Sequence, residues 1–548
     1  MYRRWLLIAY AFALSVLVLG PALLPGYALT YDMVFTPRET LLPWTVGAGS
    51  ALPRSVPQDA VVAVLNTIVP GWVLQKIALL AALVLAGLGA ARCVRGPGAW
   101  VAVTLAIWNP FVAERLVQGH WSLLIAYACV PWIVCAASAR RWSVVVLWCA
   151  LAALTPSGGL LAAVIAIPAV VFLPGRVILK VAWSLAIFAT NLPWLIPAAL
   201  HFGYSSQATD VFGLRAEGPW GSVLTAVGMG GMWNGDAVLP SRSLWLAPVV
   251  GVAIFLLATL GWSAFYRRFG RAAAIWLVVS AIGLCLALLS AIGPALFISI
   301  TEIPGGGLFR DAQKLLAPCA ILLAVLAGAG IGRFVEWVAD HTVAVLLVVL
   351  AVVIPVATMP DLALGASGRV ASVSYPSEFE SVREEVGAGA SDVVSLPWVA
   401  FRNFSWNERR TVLDPMPRFL ARSVVVTDDL LVGRDGIVQP VVGDNPRAAE
   451  VGRRLAAGEA LTDFAPDMGI EYAVLAHDVA GPDAEPALRG AELMWAGNEL
   501  SLYRLGAAMA PPPPSYLGLI VVVDLLVVLL VFISALVALL TRKRRFGC

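Results

Sequence analysis

Asp32 stands in Tyr31-Asp32-Met33, just past the first long apolar run, with few other acids near it. A carboxylate where lipid meets water can serve as a general base, taking the proton of a hydroxyl as its oxygen attacks. The same position suits a solvated loop acid or a helix cap, and both readings stand. A second group is crowded into Trp108-Asn109-Pro110-Phe111-Val112-Ala113-Glu114-Arg115-Leu116-Val117-Gln118-Gly119-His120-Trp121. Here Pro110 frees backbone groups that need internal partners or a wet cavity. Glu114, Arg115 and His120 are ionisable at a membrane lip, which points to function. The structural alternative is a Glu–Arg pair locking two helices.

The third group is Pro304-Gly305-Gly306-Gly307-Leu308-Phe309-Arg310-Asp311-Ala312-Gln313-Lys314. A glycine run, a helix start and two cations at i,i+4 suit a phosphate. Snorkelling cations that anchor to lipid headgroups would look the same. The GxxxxGK[ST] spacing of a P-loop is absent. Between His201 and Arg242 lie Asp210, Arg215, Glu217, Trp220, Trp233, Asn234 and Asp236. Aromatics among acids and amides suit sugar stacking and hydrogen bonding, and equally suit an interfacial aromatic belt.

The elements that must position these groups are membrane helices. The 548 residues are 60% hydrophobic and 13% charged, with a mean hydropathy of +0.85, whereas soluble domains carry about 25% charged residues. A span needs about 20 apolar residues. The first runs from about Trp5 to Leu24 and lacks a small-residue cleavage site, so it is read as a retained helix. Others begin near Trp72, Gly98, Trp121, Trp142, Gly158, Val181, Ser243, Ala272, Leu315 and Thr342, and the last runs from Tyr516 to Leu540. That makes about twelve. Alternate connections hold Arg92 and Arg95; Arg140 and Arg141; Arg176 and Lys180; Arg267, Arg268 and Arg271; Arg333; and Arg542, Lys543, Arg544 and Arg545. Basic loops face the cytoplasm, so both termini are expected inside, and every long connection outside. In the first outer loop, Glu39–Trp44 and Asp59–Leu65 are too short to span and are expected to lie along the interface. Glu39 is expected at the surface or in a cap.

The longest connection, Met359 to Pro514, reads as a small α/β domain. Buried strands are expected around Ser391–Leu396 and Glu471–Leu475, a helix capped at Asn445 over Ala448–Leu455, and a closing strand at Leu500–Leu505. Pro511 to Pro514 form a stiff spacer. The expected division is a transmembrane body over 1–358, an extracytoplasmic domain over 359–514, and a last helix with a basic cytoplasmic tail over 515–548. None of the seven cysteines falls in the outer segment, so no structural disulfide is expected. No CxxC or Cys/His cluster indicates zinc.

Taken together, the chain resembles the GT-C-type membrane glycosyltransferases. That superfamily combines many spans, a catalytic acid in the first outer loop, interfacial helices after it and often a C-terminal extracytoplasmic domain. Asn109–Arg115, Leu308–Lys314 and Gly469-Ile470-Glu471-Tyr472-Ala473-Val474-Leu475 resemble runs in bacterial proteins of this type, and an Arg-rich, Lys-poor composition suits an actinobacterial branch. The resemblance implies an inverting transfer of sugar, without a covalent intermediate, from a polyprenyl-phosphate donor to an envelope glycan, lipid or protein acceptor on the outer face of the plasma membrane. It implies Asp32 as the catalytic base. Arg310, Lys314 and Arg115 would bind the donor phosphate, and Glu114, His120, Asp311, Asp236 and Trp233 would support the site or hold substrate. Asp32 departs from the paired acids of some members, being flanked by Tyr31 and Met33, and a divalent cation is left open. Membrane lipid is an expected partner and nucleic acid is not. The rival reading is a non-catalytic GT-C-like scaffold, or a lipid or polysaccharide transporter. Against transport, mid-span charges are absent apart from Asp524, where proton-coupled carriers need some.

Overall fold

A computed structural model describes residues 2–201, 210–303, 305–434 and 437–543. Pro304, part of the loop at His201–Arg242 and the tail at 544–548 lie outside the described residues. Among the described residues, eight helices are long and apolar enough to cross a membrane: Arg4–Leu23, Gly71–Cys93, Trp121–Ser138, Leu246–Phe269, Arg271–Ile292, Ala312–Glu336, His341–Thr358 and Leu517–Thr541. A ninth candidate is the pair Val177–Ala189 and Leu192–Leu200, bent by 63° at its break. Pro193 sits in the first turn beyond that break, where a ring without an N–H starts a helix but cannot continue one.

The three other expected spans, near Gly98, Trp142 and Gly158, are helices of 10, 11 and 17 residues. At about 1.5 Å per residue the first two reach roughly 15–17 Å, well short of the ~30 Å hydrocarbon core. The first, Gly98–Ile107, is buried except at Trp100, which is half-buried. It stops at Trp108 because the residue before a proline is driven out of the helical region. Pro110 then begins the helix Pro110–Val117, capped by the Asn109 side chain on the amide of Val112 at 3.0 Å.

At the centre stands Ala312–Glu336, with 78% of its apolar window buried. Leu246–Phe269 lies against it where Gly261 meets Leu326 and Gly330 meets Leu257. A methyl at either glycine would collide with the facing backbone carbonyl, so small residues set the approach, as they do between membrane helices. At the periphery, few residues of His341–Thr358 and Leu517–Thr541 are fully buried, as in helices facing lipid.

Two short strands, β1 (Tyr27–Ala28) and β2 (Ser372–Val373), pair antiparallel and tie the segment after the first span to the one after His341–Thr358. Beyond them, β3 (Asp392–Leu396) is fully buried. β4 (Phe401–Arg402) and β5 (Val412–Leu413) form a small ribbon. The remaining strands are β6 (Val424–Val425), β7 (Leu430–Arg434), β8 (Ile437–Val441), β9 (Ile470–Ala476), β10 (Glu492–Ala496) and β11 (Leu500–Arg504). A five-stranded sheet has the order β10-β11-β9-β3-β6, with β3 parallel to both its neighbours. The complete burial of β3 fits a parallel strand covered on both faces, with its polar members satisfied: Asp392 pairs with Arg447 and Ser395 accepts from Arg402 at 2.9 Å. Helix Pro446–Ala456 is capped by Asn445. The β7–β8 hairpin packs Val432 and Val441 on Val211 and Phe212.

The short helix Gln58–Asn66, expected to lie along the interface, is anchored to this region by Arg418, which bonds Asp59 at 2.8 Å. Glu39 is not at the surface. It is buried beside the same pair, 7% exposed, because Arg418 draws both carboxylates inward. Burial first, and then the Asp59 charge, push the Glu39 pKa well above its ordinary value.

Candidate functional site

Asp32 sits in a tight turn in which the Met33 amide bonds the Thr30 carbonyl at 2.8 Å. Tyr31 adopts φ of 40°, a left-handed backbone that side chains avoid unless their surroundings hold it. Two sets of bonds hold it here. From below, the Asp32 amide donates to the Gln118 carbonyl at 3.1 Å, and the Thr30 hydroxyl donates to the Val117 carbonyl at 2.9 Å. Gly119, at φ of +83°, lets the turn settle on it, since a Cβ there would strike the Met33 amide and the Thr30 carbonyl. From the other side, the Tyr31 amide donates to Thr411 at 2.6 Å and its carbonyl accepts from Leu413 at 2.8 Å. The edge of β5 therefore clamps the turn.

A file of side chains runs inward from Asp32. Its Oδ2 lies 2.9 Å from His120 Nε2 and accepts from Gln118 Nε2 at 3.4 Å. Arg115 Nη1 donates to His120 Nδ1 at 2.9 Å. The same guanidinium grips Asp311 with two bonds, of 2.6 and 2.8 Å. Lys314 Nζ stands 3.7 Å from Asp311. Arg115 is wholly buried, while the Asp32 side chain is 38% exposed. The file thus ends in a carboxylate that meets solvent. No described donor reaches its Oδ1.

Charge follows this geometry. Burial raises the Asp32 pKa, but the bond from His120, the Gln118 amide and the Lys314 charge hold it below its ordinary value. Burial and the Lys314 charge lower the pKa of His120, outweighing the pull of Asp32. Asp311 is held well below the usual carboxylate range, since Arg115 and Lys314 more than offset its burial. Arg310 lies over the Phe212 ring at 4.8 Å. Burial and the neighbouring Arg54 bring its pKa down to about 10, so it remains a cation at neutral pH. Arg54 is ion-paired with Asp444, which joins the loop after the first span to the segment just before the Asn445-capped helix.

The other expected residues are placed less uniformly. Glu114 does not pair with Arg115. It is buried, accepts from the Met232 amide at 3.1 Å and from Gln313 at 2.8 Å, and faces Glu217. Burial and that second carboxylate push its pKa well above the ordinary value, while Glu217 is bonded by Arg242 at 2.7 Å. Trp233 packs edge-on against Phe212 at 5.0 Å. Asp236 is exposed and accepts from the Tyr31 hydroxyl at 3.4 Å. Asn234 donates to Gln118 at 2.8 Å, linking that loop to the Asp32 file. Arg115 turns both Nη groups toward His120 and Asp311, while its buried Nε–H has no partner among the described residues.

Sequence reasoning named Asn234 within its loop but passed over Gln118, Gly119 and the backbone of Thr411. Gln118 and Gly119 were signalled by their place between Glu114 and His120, whereas nothing local marks Thr411. Among the described residues, no three His, Cys, Asp or Glu side chains come together to hold a metal ion. The neighbours of Asp32 are N–H donors rather than further oxygens, an arrangement that does not fit a divalent cation.

Neither a protein-family profile nor a curated protein matches this sequence. Among solved structures, the chain is similar to the single-particle cryo-EM structure of the arabinofuranosyltransferase AftD from Mycobacteria. The TM-score is 0.57 at 17% identity, covering 92% of this chain and 40% of that one. A second structure, of a single-substitution mutant of the same mycobacterial enzyme, gives 0.54 at 16% identity, with 92% and 42% covered. This chain therefore spans about two-fifths of the length of these neighbours, and the likeness is one of fold.

Proposed function

We propose that this chain, which has the fold of a GT-C membrane glycosyltransferase, transfers a sugar from a polyprenyl-phosphate donor to a hydroxyl of an envelope glycan, lipid or protein. Asp32 is the general base. Its Oδ1 takes the acceptor's proton while the acceptor oxygen uses its electron pair to form a bond to the anomeric carbon. The bond from that carbon to the phosphate oxygen breaks, and the lipid phosphate leaves with the electrons. A single displacement of this kind inverts the anomeric centre. Arg310 and Lys314 stabilise the charge that gathers on the departing phosphate. Arg115 serves as a positioning residue behind His120. Trp233 and Asp236 stand on the loop that reaches over Tyr31 and would meet the sugar or the acceptor.

The observation that carries this reading is the state of Asp32: a carboxylate held ionised by His120 and Gln118, open to solvent on its other oxygen, and close enough to Lys314 and Arg310 to feel both charges. The work would be done on the outer face of the bacterial plasma membrane, with both termini in the cytoplasm, and 359–514 would form an outer domain that binds acceptor or partner.

The test is transfer in membranes from a polyprenyl-phosphate sugar. Asp32→Asn is nearly isosteric and should keep its fold and donor binding while losing turnover by about 10²-fold or more. Wild-type turnover in Asp32→Asn would remove the assignment. A folded wild type that transfers no sugar from any such donor would put the scaffold or transporter reading in its place.

A further inference from the structure

The file behind Asp32 also fixes where protons can reside. A guanidinium has only donors to give. Since Arg115 Nη1 meets His120 Nδ1 at 2.9 Å, that nitrogen must accept and carries no proton. The ring proton is then on Nε2, which donates to Asp32 Oδ2 at 2.9 Å. We propose that Arg115, anchored by Asp311, locks His120 as the neutral Nε2–H tautomer, so that the ring holds Asp32 as a carboxylate and cannot relay the proton that Asp32 removes.

Three features build this lock. Arg115 is wholly buried and gripped at both ends of its fork by Asp311, so it cannot swing away to free Nδ1. Cations also crowd the ring: Arg115 and Lys314 both oppose a second proton on it, while Asp32 and, more distantly, Asp311 favour one. The opposing influences prevail, together with burial. Around Asp32, Lys314, Arg310 and Arg418 add positive charge, and Asp236 stands beyond the Tyr31 hydroxyl.

The consequence sets this arrangement apart from a relay. In a Ser–His–Asp site the imidazole itself takes the proton and becomes imidazolium. Here the ring has no vacant nitrogen to offer. The acceptor's proton must stop on Asp32 Oδ1 and leave from there to water, which suits a carboxylate that is 38% exposed. This inference rests on the proposed function only for the origin of that proton. The tautomer itself does not depend on it.

The experiment uses the full chain in lipid nanodiscs with isotope-labelled histidine, reading the ring nitrogens by NMR with no donor added. Replacing the other three histidines, as His201→Gln, His341→Gln and His477→Gln, assigns the remaining signals to His120. The expected result is a bare Nδ1 and a protonated Nε2 across about pH 5 to 8, where a free imidazole changes charge. An Nδ1–H tautomer, or an imidazolium within that window, overturns the proposal, and this needs no change at the lock. Arg115→Gln replaces the obligate donor with a group that can also accept, and should let His120 titrate inside the window. A ring that stays neutral in the folded Arg115→Gln protein overturns the role given to Arg115. The transfer assay separates the two ideas. A locked ring in a wild type that transfers no sugar upholds the lock and removes the glycosyltransferase reading, while an unlocked ring in an active enzyme does the reverse.

Discussion

A carboxylate is a useful base only while it is ionised, and the surroundings of Asp32 extend the pH range over which it is. Its pKa lies below the ordinary value of about 3.9, so the base function proposed for it would be retained through the neutral and mildly acid range and fail only as pH falls below it. Glu39, in the same loop, behaves in the opposite sense. Its folded pKa is raised, so the stability it contributes is present at acid pH and is lost as pH climbs from about 4.3 through the raised value. Glu39→Gln keeps the shape and removes the titration. Thermal unfolding measured across pH should therefore show a flatter decline in Glu39→Gln than in the wild type, and equal slopes would mean that Glu39 is not charged at a cost. At this scale the residue types were legible in the sequence, because ionisable groups at the ends of apolar runs are conspicuous. Their pairing was not. Arg115 and Asp311 are 196 residues apart, and the adjacent Glu114 was the local choice of partner.

Between elements, the turn that carries Asp32 rests on a single glycine. Gly119→Ala incurs about 1–2 kcal/mol for placing a side chain at positive φ, and in addition must push Met33 and Thr30 away. Gly96 also has positive φ, at +69°, but nothing lies within 4 Å of where its Cβ would be. Gly96→Ala should therefore lose a comparable amount of stability and keep transfer, while Gly119→Ala should lose transfer as well. Unfolding temperatures and turnover measured on both variants check this, and full turnover in Gly119→Ala would show that the turn does not depend on that contact. Pro110 made the break at Trp108–Pro110 readable in advance, though not the Asn109 cap of the helix that follows it. The lengths of the helices near Gly98 and Trp142 were not, because hydropathy measures how apolar a segment is and does not say whether protein or lipid surrounds it.

Across the whole molecule, the alternation of arginines remains the basis for orientation. Reporter fusions after Arg95, Arg141, Lys180 and Arg271 should report cytoplasm, and fusions at Asp210 and Arg447 the outer side. A cytoplasmic report at Arg447 would invert the orientation and place the Asp32 turn on the wrong face for a lipid-linked donor. The strands around Val393 and Val474 were readable from their apolar runs. How they sit against the body was not, since β1 with β2, Arg418 with Asp59, and Tyr31 with Thr411 and Leu413 each join segments hundreds of residues apart. Such long-range pairing leaves no periodic trace in a single sequence.

The clamp of β5 on Tyr31 also imposes an order in time. Asp32 leaves the ribosome early, but the strand that shapes its turn follows 380 residues after Tyr31, at Thr411. At roughly 5–20 residues per second that gap lasts about 20–80 s. Throughout that interval the nascent chain already has its first span and its acid, yet lacks the geometry to use them. The clamped turn arises only once the distal segment has been translated and delivered to the same side of the bilayer, so a truncated or stalled product carries Asp32 without the turn that presents it.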